Sequence, residues 1–277
     1  MTMRRIVKKL IVGPRKVIRR AVGRAEFVRS IRPSDVFIVT FPKSGTNWVG
    51  FFLALVAADR STGERSVLTL DESRRWVAGV NDEYFGGARL PEEPRLQDPR
   101  VFKVHAPYDE ALGRVIYLAR DPRDVMVSYY YHQLRKKQQF DVSIDEYVER
   151  NDTWPGDWGD HVSGWLAHAD REDVLFLRYE DLKASTVASF RNIVDFCGLG
   201  LREDELADYI GRSSFENMRR AEEAVGAPEA GDIRFTRKGV VGDWMNELSP
   251  RSVGLIEERY RDLMVSLGYE LASGSSS

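Results

Sequence analysis

The sequence predicts an α/β domain in which a central parallel sheet is flanked by helices. Short apolar runs near 35–40, 100–104, 114–119 and 173–178 alternate with helical segments near 46–58, 122–135, 183–197 and 249–267. Strands that alternate with helices pair in parallel, each crossover covering the sheet. The chain of 277 residues, 43% hydrophobic and 11% aromatic, is long enough to bury the core that such a domain requires.

The first strand, Val36-Phe37-Ile38-Val39-Thr40, runs into a turn, Phe41-Pro42-Lys43-Ser44-Gly45, and then into the apolar segment Trp48–Val56. A fully apolar run reads as a buried parallel strand, and the longer one as a buried helix. Backbone N–H groups in such a turn and at the helix start converge on phosphate-like anions. The turn is not a Walker A loop, because Lys43 precedes Gly45 instead of following a second glycine. Arg114–Ala119 is a second strand that leads through Arg120-Asp121 to Pro122, a residue suited to the first turn of a helix. Arg120 at the strand end and Ser128 on that helix can reach a common anion. Far along the chain, Arg237-Lys238-Gly239 sets two cations beside a glycine in a loop.

His105 ends the strand Val101–Val104, where open α/β sheets border their ligand crevice, and an imidazole there suits a general base. Lys103, two residues earlier, shares its side of the strand. Of the other three histidines, His132 reads as structural, whereas His161 and His168 are open between pocket lining and core packing with the neighbouring tryptophans.

Charge is unevenly distributed. Residues 1–30 hold ten Lys/Arg and one Glu, a net +9 in a chain of net −2, so the remainder carries −11. Ile6, Val7, Leu10 and Ile11, then Val17, Ile18, Ala21 and Val22, mark two short apolar helical faces opposite the cations. Such a basic amphipathic segment suits either a membrane surface or packing on the domain. No apolar run there reaches a signal peptide or a membrane span. The single cysteine, Cys197, excludes an intrachain disulfide and points to a reducing, cytoplasmic compartment. The expected organisation is a basic N-terminal segment (1–30), one domain (31–270) and a flexible tail (271–277).

The Pro-Lys-Ser-Gly-Thr loop, the Arg…Ser strand–helix and the Arg-Lys-Gly loop, in that order, resemble the soluble sulfotransferases that use 3′-phosphoadenosine 5′-phosphosulfate (PAPS). The resemblance spans roughly residues 33–270 and implies a three-layer, P-loop-like fold and sulfuryl transfer to a hydroxyl of a small-molecule or lipid-like acceptor. It assigns Lys43, Ser44, Gly45, Thr46, Asn47 and Trp48 to the 5′-phosphosulfate and the adjoining base, and Arg120, Ser128, Arg237, Lys238 and Gly239 to the 3′-phosphate. Tyr179, Phe215 and Met218, with Trp48, fall where that family holds adenine. His105 becomes the catalytic base, assisted by Lys103 and Lys43, with Ser128 restraining the loop lysine. No metal is expected, because no carboxylate cluster suggests one, and no nucleic-acid partner is expected.

Some positions depart from the family. Asn47 stands where a second Thr is frequent, Met245 where Lys is common, and residues 245–254 lack the dimer motif of many animal members. The rival readings are a P-loop nucleotide kinase, disfavoured by the missing Gly-Lys-Ser/Thr, and a catalytically dead nucleotide-binding protein, disfavoured by the presence of both His105 and Lys43.

Overall fold

A computed structural model describes residues 14–80, 90, 98–136, 141–223 and 238–272. The chain enters through helix α1 (Pro14–Ser30), strand β1 (Val36–Thr40), α2 (Thr46–Thr62), α3 (Leu70–Ser73), β2 (Val77–Gly79) and β3 (Val101–Val104). It continues through β4 (Arg114–Ala119), α4 (Pro122–Lys136), α5 (Ile144–Arg150), α6 (Trp158–Leu166) and β5 (Val174–Arg178). It closes through α7 (Tyr179–Ala184), α8 (Thr186–Phe196), α9 (Glu203–Arg212), α10 (Phe215–Glu223), α11 (Trp244–Glu247) and α12 (Pro250–Ser266).

The five strands form one parallel sheet in the order β2-β3-β1-β4-β5. Its two faces feed two cores, as strand alternation demands. Phe37, Val39, Phe102, Val115 and Tyr117 face α4, α6 and α12, and Phe27 of α1 joins them. Val36, Ile38, Val101, Ile116 and Leu118 face α2, α8 and α9. The strands are mostly apolar because both faces of the sheet are covered. The result is the expected three-layer domain.

The differences from the sequence reading have local causes. α2 runs to Thr62, beyond the apolar stretch, because its last turn emerges at the surface as Asp59-Arg60-Ser61-Thr62; Gly63 then ends it in the left-handed conformation (φ 73°). The helix expected over 183–197 is broken at Ser185 (φ −130°). The second of the two short apolar faces lies on a longer element than expected, because Pro14 opens a helix of 17 residues; the first, over residues 6–11, lies outside the described residues.

The exit of α1 and the segment after α12 are fastened by buried ion pairs. Asp35 receives Arg100 through two bonds of 2.8 and 2.6 Å, and the same guanidinium donates to the Ser30 carbonyl (3.0 Å), fixing the exit of α1. At the other end Arg123 bonds Asp121 (2.7 Å) and Glu257 (2.6 Å) and donates to the Glu270 carbonyl (2.9 Å).

Candidate active site

β1, at the centre of the sheet, has β3 on one side and β4 on the other, and the crevice beyond their C-terminal ends holds a cavity of about 530 Å³. Lys43 (φ 76°) and Gly45 (φ 104°) take left-handed conformations that fold the loop after β1 back over the start of α2. A side chain at Gly45 would meet the Tyr179 ring at 2.7 Å, so glycine lets this ring lie against the loop. The Arg120 guanidinium leaves the end of β4, donates to the Lys43 carbonyl (3.1 Å) and lies 4.5 Å from the Tyr179 ring centroid. Three segments distant in sequence are thereby packed as one unit.

The loop beyond Lys238 is drawn in by the first turns of α4. Arg120 donates to the Val240 carbonyl (3.0 Å). Asp124 accepts from the Gly242 N–H (2.8 Å) and the Trp244 N–H (3.0 Å), and Arg123 lies 3.9 Å from the Trp244 ring centroid. Gly239 (φ 63°) sits against Phe215, whose ring would be 2.5 Å from an added Cβ. Gly239→Ala is therefore expected to cost about 1–2 kcal/mol in backbone strain alone and to push Phe215 into the cavity. Urea unfolding and calorimetric titration with an adenine nucleotide check this; unchanged values in both would contradict it.

The cavity is lined by Lys43, Lys103, Arg120, Lys183 and Lys238, and among the described residues no carboxylate lines it. That excess of positive charge in a concave site selects an anion. Buried donors support the same conclusion: Ser44 Oγ, Trp48 Nε1 and Arg120 Nε have no hydrogen-bond partner among the described residues, a costly arrangement unless a ligand supplies acceptors. Aromatic faces stand beside the cations, with Trp48 and Tyr179 packed edge to face at 6.2 Å and Phe215 and Met218 also on the wall.

His105 is held from behind. Its Nδ1 lies 2.8 Å from the Thr40 carbonyl, which can only accept, so Nδ1 carries the hydrogen and the neutral ring's lone pair is on Nε2. Thr40 Oγ1 approaches the same nitrogen (3.1 Å) and Thr46 Oγ1 (2.6 Å). Trp154 stands edge to face with the imidazole at 5.9 Å. Lys103 crosses over Gly50 of α2, where an added Cβ would be 3.0 Å from its Cδ. Burial, with Arg74 nearby, pulls the Lys103 ammonium down to about 8.

The two open histidines now separate from the site. His161 is 3% exposed; its Nδ1 lies 2.8 Å from the Tyr117 hydroxyl and its Nε2 3.3 Å from the His105 carbonyl, so Nε2 donates and Nδ1 accepts. Burial pulls its pKa down to about 4. His161 supports the backbone of His105 and is neutral at physiological pH. The unfolded chain takes up this proton near pH 6.5, whereas the folded protein resists until about pH 4, so stability falls as pH drops through that window, by about 3 kcal/mol at its lower end. His161→Gln should flatten urea stability between pH 7 and 5; the same slope in both proteins would refute this assignment. His168 stacks on Tyr108 at 3.6 Å, away from the cavity.

The structure brings Lys43, Gly45, Thr46, Asn47, Trp48, Lys103, His105, Arg120, Ser128, Tyr179, Phe215, Met218, Lys238 and Gly239 to one cavity. Ser44 is fully buried behind them and Arg237 lies outside the described residues. Two expectations need correction. His132 is not simply structural, because it lines the cavity beside Tyr129 and Gln133. The Lys238 ammonium is not turned to an anion site but is held by Asp243 (2.9 Å) and Glu247 (2.7 Å). Sequence reading missed Lys183, which lies 5.3 Å from the Trp48 ring centroid and whose pKa is lowered by burial and by Arg120. It also missed Asp124, whose i+4 spacing from Arg120 was the available clue.

Known proteins resemble this chain in sequence and fold. The sulfotransferase domain model matches residues 33–268. Sulfotransferase 2A1 of Homo sapiens is 31% identical over 264 residues, covering 90% of either chain. Sulfotransferase 2B1 of Rattus norvegicus is 31% identical over 260 residues, covering 88% of this chain and 74% of that protein. Among solved structures, retinol dehydratase in a complex with retinol and PAP superposes with a TM-score of 0.70 at 21% identity, covering 88% of this chain and 85% of that one. Mouse sulfotransferase SULT7A1 complexed with PAP gives 0.65 at 23% identity, covering 91% and 93%. A cavity of cations and aromatic rings at the sheet's C-terminal edge, on a chain matched over this length, identifies the protein as a member of the sulfotransferase family.

Proposed function

We propose that the protein transfers a sulfuryl group from PAPS to the hydroxyl of a small, largely apolar acceptor, with His105 as general base. The observation that carries this reading is the cavity itself: four cations besides the paired Lys238, no carboxylate among the described lining residues, and buried donors without acceptors among those residues, with a histidine at the adjoining strand end. These residues fit the cofactor. The N–H groups opening α2 and the Ser44 hydroxyl suit its 5′-phosphosulfate. Arg120, Ser128 and the backbone at Gly239 suit the 3′-phosphate, and Trp48, Tyr179, Phe215 and Met218 suit the adenine. When bound, PAPS supplies the activated sulfuryl group.

The protein's part is to position and to neutralise. His105 Nε2 accepts the proton of the acceptor hydroxyl as its oxygen bonds to sulfur. The sulfur–oxygen bond to the nucleotide would break in the same step, and Lys43 would meet the charge left on the phosphate. Lys103 neutralises the sulfuryl oxygens. Trp154, Tyr129 and Val80 give the acceptor side an apolar wall. Retinol dehydratase is solved in complexes with retinol and with androsterone, both small, largely apolar molecules, and a relative from Cavia porcellus is named a 3-alpha-hydroxysteroid sulfotransferase.

The direct test supplies sulfur-labelled PAPS with a panel of hydroxysteroids, retinoids and phenols. Label should appear in an acceptor with release of 3′-phosphoadenosine 5′-phosphate; label in none, with the cofactor bound, would support the dead-site alternative. A pH test follows from Lys103. The free protein loses this proton near pH 8, and an anionic ligand favours the charged form. Nucleotide affinity should therefore fall as pH rises past 8, with proton uptake visible calorimetrically in buffers of different ionisation enthalpy. A pH-independent affinity from 7 to 9 would remove Lys103 from the anion site.

A further inference from the structure

We propose that the outward face of α1 docks on an anionic membrane surface. The apolar positions Val17, Ile18, Ala21 and Val22 continue at helical spacing into Ala25 and Val28. Its described side chains, Val22, Ala25 and Val28, do not face the core. Gly23 and Phe27, on the opposite side of the helix, are the buried residues, whereas Val22 is 54% exposed, Val28 39%, and Ala25 is exposed. One side of α1 thus anchors it to the domain and the other presents aliphatic side chains to solvent.

The sequence says what covers that side. Residues 1–30 carry +9 on a chain whose remainder is −11, so the apolar line lies in the most basic part of the molecule. A symmetric contact between two copies would set +9 against +9. A bilayer with anionic headgroups instead offers hydrocarbon for the valines and opposite charge for the flanking arginines. No helix among the described residues is long and apolar enough to cross a membrane, so the contact is peripheral. It also lies near the chemistry: Arg24 pairs through both terminal guanidinium nitrogens with Asp109, four residues beyond His105. Docking through α1 would hold this segment close to a lipid-dissolved acceptor.

The experiment is sedimentation of the full chain with phosphatidylcholine vesicles, with and without phosphatidylserine, over a salt series. The comparison protein is the Val22→Glu/Val28→Glu double variant; both sites are exposed and outside the cavity, and unchanged nucleotide affinity verifies its fold. Wild type should pellet with the serine-containing vesicles at low salt and be released by salt, and the variant should partition about tenfold less or weaker. No pelleting of the wild type, or equal pelleting of the variant, overturns the proposal. So does a wild-type dimer in analytical centrifugation that the variant abolishes without any vesicle binding, which would assign the face to a second copy.

Discussion

His105→Ala is expected to lower kcat by about 10²–10⁴-fold with little change in nucleotide affinity. The Thr40 carbonyl fixes the proton of the imidazole on Nδ1, so the lone pair that must receive the acceptor's proton is on Nε2. Removing the ring deletes the base, while the cationic side chains and the α2 N-terminus that hold the nucleotide stay in place. Steady-state turnover with labelled PAPS, beside calorimetry of the product nucleotide, separates the two effects. Near-wild-type turnover would move the base elsewhere on the cavity wall, where His132 is the remaining imidazole. His161 is excluded from that role by its burial and by the partners on both of its ring nitrogens.

The largest stability effect is expected at Arg123. This guanidinium is 3% exposed and neutralises Asp121 (5% exposed) and Glu257 (fully buried). Arg123→Ala leaves two carboxylates in a low-dielectric interior and should cost about 3–5 kcal/mol. Glu257→Gln, which keeps an acceptor for the Ala272 N–H, should cost less. Because Arg123 also stacks on Trp244, whose N–H is held by Asp124, the alanine variant should lose nucleotide affinity together with stability. Urea midpoints measure the first and calorimetry the second; a loss below about 1 kcal/mol would mean that the network is solvated.

The sheet was legible because its central strands are buried on both faces and therefore written as largely apolar runs. β2 escaped notice because Val77-Ala78-Gly79 is too short to show a pattern and gains its identity only by pairing with β3. The loop after β1, which lines the cavity, was legible because a turn such as Pro42–Gly45 restricts which residues can occupy it. The Trp154–Trp165 segment was ambiguous for the opposite reason: tryptophans suit a core and a pocket equally, and here Trp158 and Trp165 fill the core while Trp154 faces His105. Lys183 looked like an ordinary helix-surface charge, since nothing local tells that Trp48 and Arg120 lie beside it. The pairing of Lys238 with Asp243 and Glu247 depends on a loop fold that no propensity encodes. Asp124 illustrates the same limit, because its acceptors' partners, the Gly242 and Trp244 N–H groups, are more than a hundred residues away.

The central claim is that the cavity at the ends of β1, β3 and β4 is a site for a doubly phosphorylated adenosine. Calorimetric titration of the full chain with 3′-phosphoadenosine 5′-phosphate, with EDTA present, tests it most directly. The expected result is saturable binding that is tighter than that of ATP and is weakened by Arg120→Ala, which removes a guanidinium whose Nε is buried without an acceptor. Tighter binding of ATP, or a requirement for a divalent cation, would contradict the account and favour a nucleotide kinase.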